Sequence, residues 1–256
     1  MNSTVRLSNC SFAVTGDDFE YHLCGGYHTD QPSPKLEGDV ESGGSIEGWV
    51  SYLIPKELKK LIFIIKDPDA ISSGIVENQY VALDEGASII DPADLASIVP
   101  NDVGKDSNNP ALKTDTIITA SWQFSILEVV RGQAAHDKML ADDSFSPQPG
   151  NGMEFIIVRA NIKRIDNENR QKSIDSYMFG SSGSKGVLYD ASQYFNSAKP
   201  NLQDIALFPG GEVERWFVLE IAIGEENAVL VFNKDNPFNP LYNRKDENDL
   251  RYISLE

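Results

Sequence analysis

The chain has few of the side chains that usually carry chemistry or cross-link a fold. Its 256 residues include two cysteines and three histidines. Basic residues are also scarce, because 22 Lys and Arg face 39 Asp and Glu, a formal net charge of −17. A charge of this sign repels phosphate backbones and anionic lipid headgroups. The composition therefore excludes nucleic acid and anionic membrane surfaces as expected partners.

Long apolar runs are missing as well. No stretch of the sequence approaches the roughly 18 consecutive apolar residues that indicate a membrane-spanning helix. The opening residues, MNSTVRLSNC, lack the basic region and the apolar stretch of a signal peptide. We therefore expect no membrane insertion within this chain.

Motifs for metal ions and nucleotides are not found, so we expect no cofactor. The three scattered histidines have no second zinc ligand at helical or hairpin spacing. The acidic stretches 102–106 and 246–249 lack the alternating oxygen ligands and the fixed glycine of a calcium loop. Residues 180–186, GSSGSKG, lack the Lys-Ser/Thr ending of a phosphate-binding loop. They run into a strand-like segment, which predicts a hairpin turn.

Catalytic patterns are equally weak. Cys24 lies near His22 and His28, but this spacing does not establish the contact between thiol and imidazole that nucleophilic catalysis needs. Paired carboxylates such as Asp142-Asp143 and Glu225-Glu226 lie in turn-like sequence, where solvation is expected. We predict that the protein is not an enzyme.

What the sequence does contain is an internal repeat. The stretch GGSIEGWVSYLIPKELKKLIFIIKD, residues 43–67, recurs in outline as GGEVERWFVLEIAIGEENAVLVFNKD, residues 210–235. Each copy has a Gly-Gly turn, an acidic residue, a Trp and two apolar runs that end in Lys-Asp. A repeat of this kind indicates two structurally related units.

Aromatic residues recur at matching positions of the two copies. Trp49 is followed by Tyr80 in the first copy, and Trp216 is followed by Tyr252 in the second. A buried Trp between the sheets is common in sandwich domains. We therefore predict that both tryptophans lie in a core, with a role as a binding platform as the alternative.

Strand patterns dominate the rest of the chain. Trp122, Phe124 and Ile126 alternate with polar residues, which predicts a strand buried on one face. Residues 154–162 are apolar on both faces, as in an interior strand. The main helical candidate is residues 133–141, which we expect to cover an open end of the sandwich.

These patterns predict an all-β protein with two immunoglobulin-like antiparallel β-sandwich units in tandem. The first unit, residues 1–90, is incomplete at its N-terminus, because no strong strand candidates precede its repeat. Residues 91–115 are rich in Asp, Pro, Asn and Ser and form a linker. The second unit, residues 116–256, is complete.

The second unit resembles the bacterial telokin-like, immunoglobulin-like domains of unknown function that are related to a secreted immunoprotective antigen. The resemblance is carried by NNPALKTDTIITASWQFSILEVVRGQAA, by Gly152-Met153-Glu154-Phe155, by LFPGGEVERWFVLEI and by RYISL. It covers residues 109–256 and, in the first unit, only residues 5–83. Such domains are typically exported parts of surface or lipid-anchored proteins, so the resemblance implies an extracytoplasmic location.

The missing front strands leave three explanations open. We favour a chain that is a fragment or begins at a wrongly chosen Met, with an export signal and front strands upstream. The alternatives are a smaller complete unit, and a homodimer that completes the first unit with strands from a second protomer. In each case an incomplete sandwich leaves backbone groups unpaired along a sheet edge, and such edges recruit partners.

The two cysteines are candidates for a disulfide. If the turn between them is centred on Asp17, Cys10 and Cys24 lie opposite each other in a hairpin, within disulfide range. A bridge would fit an exported protein. The alternative is two reduced thiols in a different register.

The function that fits these features is a noncatalytic extracytoplasmic interaction or spacer module of a bacterial envelope or secreted protein. It would recognise a protein or a small ligand through loops or sheet edges. Candidate contact loops are residues 141–151 and residues 233–248, the latter with Phe238, Leu241 and Tyr242. The alternative, which we favour for the second loop, is that its aromatic residues hold a long loop against the core. The alternatives are a periplasmic enzyme or enzyme inhibitor, and a cytoplasmic protein.

Overall fold

The computed structural model describes most of the chain. The described residues are 4–8, 11–23, 32–66, 78–88, 95, 97–168, 170–190, 198–203, 205–233 and 249–256. In this part of the chain, none of the helices is long and apolar enough to cross a bilayer.

The described residues of the first unit form six short strands. They are β1 (Thr4–Leu7), β2 (Phe12–Thr15), β3 (His22–Leu23), β4 (Gly38–Glu41), β5 (Ile62–Ile65) and β6 (Gln79–Ala82). Four of them form an antiparallel sheet in the order β3-β2-β5-β6, and β1 pairs with β4. We call the four-stranded sheet the back sheet of the first unit.

The second unit contains the longest strands. They are β7 (Thr116–Ile118), β8 (Trp122–Arg131), β9 (Met153–Arg164), β10 (Lys172–Ile174), β11 (Phe179–Ser182), β12 (Leu188–Tyr189), β13 (Ile205–Leu207), β14 (Glu212–Ala222), β15 (Val229–Phe232) and β16 (Arg251–Ser254). Its front sheet has the order β14-β9-β8-β7, its back sheet has the order β12-β11-β15-β16, and β10 pairs with β13. The pairings between these described strands are antiparallel, and an isolated parallel bridge joins Asn201 to Trp216.

The two sheets of the second unit enclose a single apolar core. Trp122 and Phe124 of β8 are buried, as the alternation along that strand predicted, and β9 is buried on both faces. Aromatic rings from both sheets contact each other, with centroid distances of 4.5 Å for Phe124 and Phe232 and 4.4 Å for Phe179 and Phe217. The prediction of an all-β sandwich is confirmed.

One α-helix, α1 (Gln133–Asp142), packs on the outer face of the front sheet. Its Ala135 and Met139, one turn apart, contact Phe155 of β9 and Trp216 of β14. The predicted helix is confirmed, but its predicted position is wrong. The helix covers a face of the front sheet and does not close an end of the sandwich. It lies there because it buries the apolar residues on the outer side of β9 and β14.

The internal repeat is a structural repeat. Strand β2 begins at Phe12 and β11 begins at Phe179, which is 167 residues later. At this offset the strand pairings coincide, since Phe12 lies opposite Ile65 and Phe179 lies opposite Phe232. We call residues that occupy the same place in the two units counterparts. The pair β1–β4 is likewise the counterpart of β10–β13.

The hydrogen bonds around the two tryptophans repeat as well. The Trp49 amide donates to the Pro34 carbonyl at 2.8 Å, and the Trp49 carbonyl accepts from the Leu36 amide at 3.0 Å. The Trp216 amide donates to the Pro200 carbonyl at 2.8 Å, and its carbonyl accepts from the Leu202 amide at 2.8 Å. Each Gly-Gly turn opens on a left-handed glycine, with φ of 82° at Gly43 and 83° at Gly210.

The two units are in direct contact. Phe208 of the second unit is fully buried against Ala13, Ile64 and Tyr21 of the first unit. This contact covers one face of the back sheet of the first unit. The opposite face of that sheet is the one that would carry a front sheet.

Candidate functional site

The candidate site is the segment of residues 45–55, which we call the open segment. It is the counterpart of β14, because it follows the same Gly-Gly turn and contains Trp49 at the position of Trp216. Every residue of β14 lies opposite a residue of β9. In the described part of the chain, the open segment has no such partner strand, and its one bridge joins Lys35 and Trp49.

Among the described residues, the backbone of the open segment has hydrogen-bond partners along one edge only. The peptide groups of Trp49 are bonded to Pro34 and Leu36 on one side. Successive peptide groups of a strand point to alternate edges, so those of Gly48 and Val50 face the other side. Ile46, Gly48 and Val50 make no backbone hydrogen bond to any described residue. An edge of this kind is a template for pairing with another strand.

Side chains of the open segment alternate between the two faces, as in a strand. Ile46 and Val50 are partly buried on the inner side, where Tyr52 contacts the ring of Phe63 at a centroid distance of 6.3 Å. Trp49 is 59% exposed and Leu53 is 72% exposed on the outer side. The segment is therefore shaped for a sheet that the described first unit does not contain.

Trp49 corrects the prediction that both tryptophans are buried. Trp216 is 5% exposed because α1 and β9 cover it, with Met139 and Phe155 in the same apolar cluster. In the first unit, no described element is a counterpart of α1 or β9, so Trp49 stays exposed. The repeat predicts the position of Trp49 in its segment correctly. It does not predict burial, because the elements that bury Trp216 have no counterpart among the described residues of the first unit.

The inner face of the first back sheet is exposed at its edge strand β6, whereas Phe12 and Val14 on the same face are buried. Val81 lies opposite Phe63, and its counterpart Ile253 lies opposite Leu230. Val81 is 45% exposed, whereas Ile253 is 1% exposed. At this edge the first unit thus exposes a position that the second unit buries between its sheets.

Charged side chains on the outer side of β14 show which groups a neighbouring strand places beside such an edge. Arg159 of β9 lies opposite Trp216, and its guanidinium is 5.7 Å from the centre of the indole ring. The same guanidinium donates to the Glu214 carboxylate at 2.8 Å. In the open segment Glu47 is the counterpart of Glu214, and no Lys or Arg occurs in residues 45–55. The open segment keeps the acidic half of this arrangement.

Sequence reasoning predicted an unpaired sheet edge but did not locate it. The repeat could have located this edge, because it makes residues 45–55 the counterpart of residues 212–222. The structure does not describe the predicted disulfide residues or the predicted contact residues of loop 233–248, which are Cys10, Cys24, Phe238, Leu241 and Tyr242. The disulfide and this contact loop therefore stay predictions.

Two of the three histidines lie among the described residues, and each contacts a neighbouring side chain. His22 bonds to Asp18 at 3.0 Å, and His136 packs its ring 6.0 Å from that of Phe155. In the same part of the chain, no group of three His, Cys, Asp or Glu residues is arranged to hold a metal ion.

The glycine-rich stretch 180–186 forms the end of β11 and the turn that leads to β12, so the predicted hairpin is confirmed. The prediction that Glu225 is solvated is wrong. Glu225 is buried and accepts hydrogen bonds from the hydroxyl groups of Ser184 at 2.9 Å and Tyr189 at 2.8 Å. The hydrogen bond that Tyr189 donates to Glu225 raises the pKa of the Tyr189 hydroxyl. Glu225 therefore holds the hairpin in place.

Comparisons with known proteins add little. No protein-family model matches the chain, and no curated protein matches it in sequence. Among solved structures, the yjhA protein from Bacillus subtilis is similar with a TM-score of 0.37 and 12% identity over 57% of this chain and 98% of that chain. An uncharacterized beta-sandwich protein from Clostridium difficile 630 is similar with a TM-score of 0.34 and 10% identity over 62% of this chain and 100% of that chain.

Proposed function

We propose that the protein is a noncatalytic extracytoplasmic interaction module of a bacterial envelope or secreted protein, and that it binds another polypeptide at the open segment. The observation that carries this proposal is the edge at Gly48 and Val50, which has no backbone partner in the described part of the chain and lies beside the exposed Trp49 and Leu53. Strand addition to a sheet edge is a common mode of peptide recognition, in which main-chain hydrogen bonds supply affinity and side chains supply specificity.

Two further features support the proposal. Aromatic residues such as Trp49 are enriched at the centres of protein interfaces. The second unit contacts the first through Phe208 on the opposite face of the back sheet, so this contact leaves the side of the open segment uncovered. The extracytoplasmic location rests on the resemblance of residues 109–256 to exported domains.

Site-specific photo-crosslinking in intact cells tests the proposal. A photoreactive amino acid at Leu53 is expected to capture a partner protein, and fractionation of the same cells is expected to recover the product in the envelope or the medium. Leu112, which is 62% exposed and lies outside the open segment and both predicted contact loops, is the control position. Equal capture at both positions, or a product confined to the cytosol, would contradict the proposal.

A further inference from the structure

The partner strand can be specified from β9, and this inference rests on the proposed function. We infer that the open segment binds an antiparallel strand of a second, different protein that places an Arg or Lys opposite Trp49. The same strand carries small or branched apolar residues opposite Gly48 and Val50. The second unit provides the template, since β9 already occupies the corresponding place beside β14.

Register defines each position of the partner strand. In the second unit, Ala160 lies opposite Arg215, Arg159 opposite Trp216, and Val158 opposite Phe217. Transferred to the first unit, these positions lie opposite Gly48, Trp49 and Val50. The apolar positions face the inner side, on which Tyr52 contacts Phe63, and the basic position faces outward beside Trp49.

Two interactions select a cation at the outward position. Arg159 contacts both the Trp216 ring and the Glu214 carboxylate, and the counterparts of these groups are Trp49 and Glu47. A cation over an indole ring and a cross-strand pair of opposite charges each stabilise an exposed strand pair. An acidic residue in this position would lie beside Glu47 and would be repelled.

The same reasoning disfavours a second copy of this chain as the occupant. Residues 45–55 contain no Lys or Arg, so two open segments paired with each other supply no cation for either Glu47. Each copy also carries a formal charge of −17, which opposes association. A basic strand from a different protein is complementary to the open segment.

Two synthetic peptides test the inference on the full chain. The first has the sequence of residues 152–165, GMEFIIVRANIKRI, and the second is identical except for Arg159→Glu. The first peptide is expected to bind and to slow amide exchange at Gly48 and Val50. The second is expected to bind about tenfold more weakly, because it loses both interactions of the cation and adds a repulsion.

A charge exchange in the protein provides the matched control. Glu47→Lys is expected to reverse the preference, so that the peptide with Glu binds more tightly than the peptide with Arg. Glu57→Lys makes the same change of net charge outside the open segment and is expected to leave the ranking unchanged. Calorimetry gives the affinities, and amide NMR locates the binding.

Each contrary outcome has a distinct meaning. If both peptides bind equally and both protect Gly48 and Val50, the basic position is overturned while the proposed function stands. If neither peptide protects these amides but crosslinking at Leu53 still captures a protein, the β9 template is overturned. If the chain associates with itself through residues 45–55, the inferred occupant is wrong. Failure of the proposed function itself is seen separately, as loss of crosslinking at Leu53.

Discussion

Replacing Trp216 with alanine is expected to destabilise the second unit by about 3–5 kcal/mol, the usual cost of removing a buried aromatic side chain. Trp216 is 5% exposed and lies in an apolar cluster with Met139, Phe155 and Val218. The Lys138 ammonium also lies 4.6 Å from the centre of its ring. Deletion of the indole leaves a cavity beneath α1 that this rigid sheet cannot close.

Trp49→Ala is the matched control, because Trp49 is the counterpart of Trp216 in the repeat. Trp49 is 59% exposed, so its replacement is expected to change stability by less than about 0.5 kcal/mol. Urea unfolding of both variants, followed by circular dichroism, gives the two values. Similar losses for the two variants would show that Trp49 is buried and that the first unit is closed.

Replacing Arg164 with alanine is expected to destabilise the second unit by about 3–5 kcal/mol, because it leaves buried polar groups without their partner. The Arg164 side chain is completely buried and pairs with Asp166 at 2.7 Å. Its guanidinium also donates to the carbonyl groups of Leu207 at 2.6 Å and Glu168 at 2.7 Å, and to that of Arg170. One side chain thus joins the end of β9 to β13 and to the turn after β9.

Arg170→Ala is the control for this prediction. Arg170 pairs with Glu168, but its side chain is 55% exposed, so we expect a loss below about 1 kcal/mol. Equal losses in the two variants would show that the Arg164 network contributes no more than a surface ion pair.

The pH dependence of unfolding provides a second readout for Arg164. Burial alone would raise the pKa of Asp166, but hydrogen bonds from Arg164 and Lys172 and their positive charges hold the pKa below its ordinary value of 3.8. A lowered pKa in the folded state stabilises the protein above pH 3.8, and this stabilisation is lost as pH falls through the folded-state pKa. In the Arg164→Ala variant, the free energy of unfolding is expected to depend less on pH in this acid range.

Much of the fold could be predicted from local patterns. The alternation of Trp122 and Phe124 and the continuous apolar character of β9 gave the strands their correct type, since both patterns reflect which faces are buried. The repeat predicted two related units, and the hydrogen bonds of Trp49 and Trp216 confirm that the copies match in detail.

Long-range contacts were the part that the sequence did not predict. The burial of Trp216 depends on α1 and β9, which lie far from it in the chain. The similar sequence around Trp49 therefore led to the wrong prediction that Trp49 is buried. The role of Glu225 depends on the hydroxyl groups of Ser184 and Tyr189 across a hairpin. Neither contact leaves a local signature in spacing or composition.

Hydrogen exchange along the two counterpart segments tests the central claim most directly. In the chain without a partner, the amides of Gly48 and Val50 are expected to exchange at close to the unprotected rate. The amides of Arg215 and Phe217, which face β9, are expected to exchange at least about a thousandfold more slowly. Comparable protection at the two pairs of positions would contradict the account, because it would show that the edge of the first unit is already occupied.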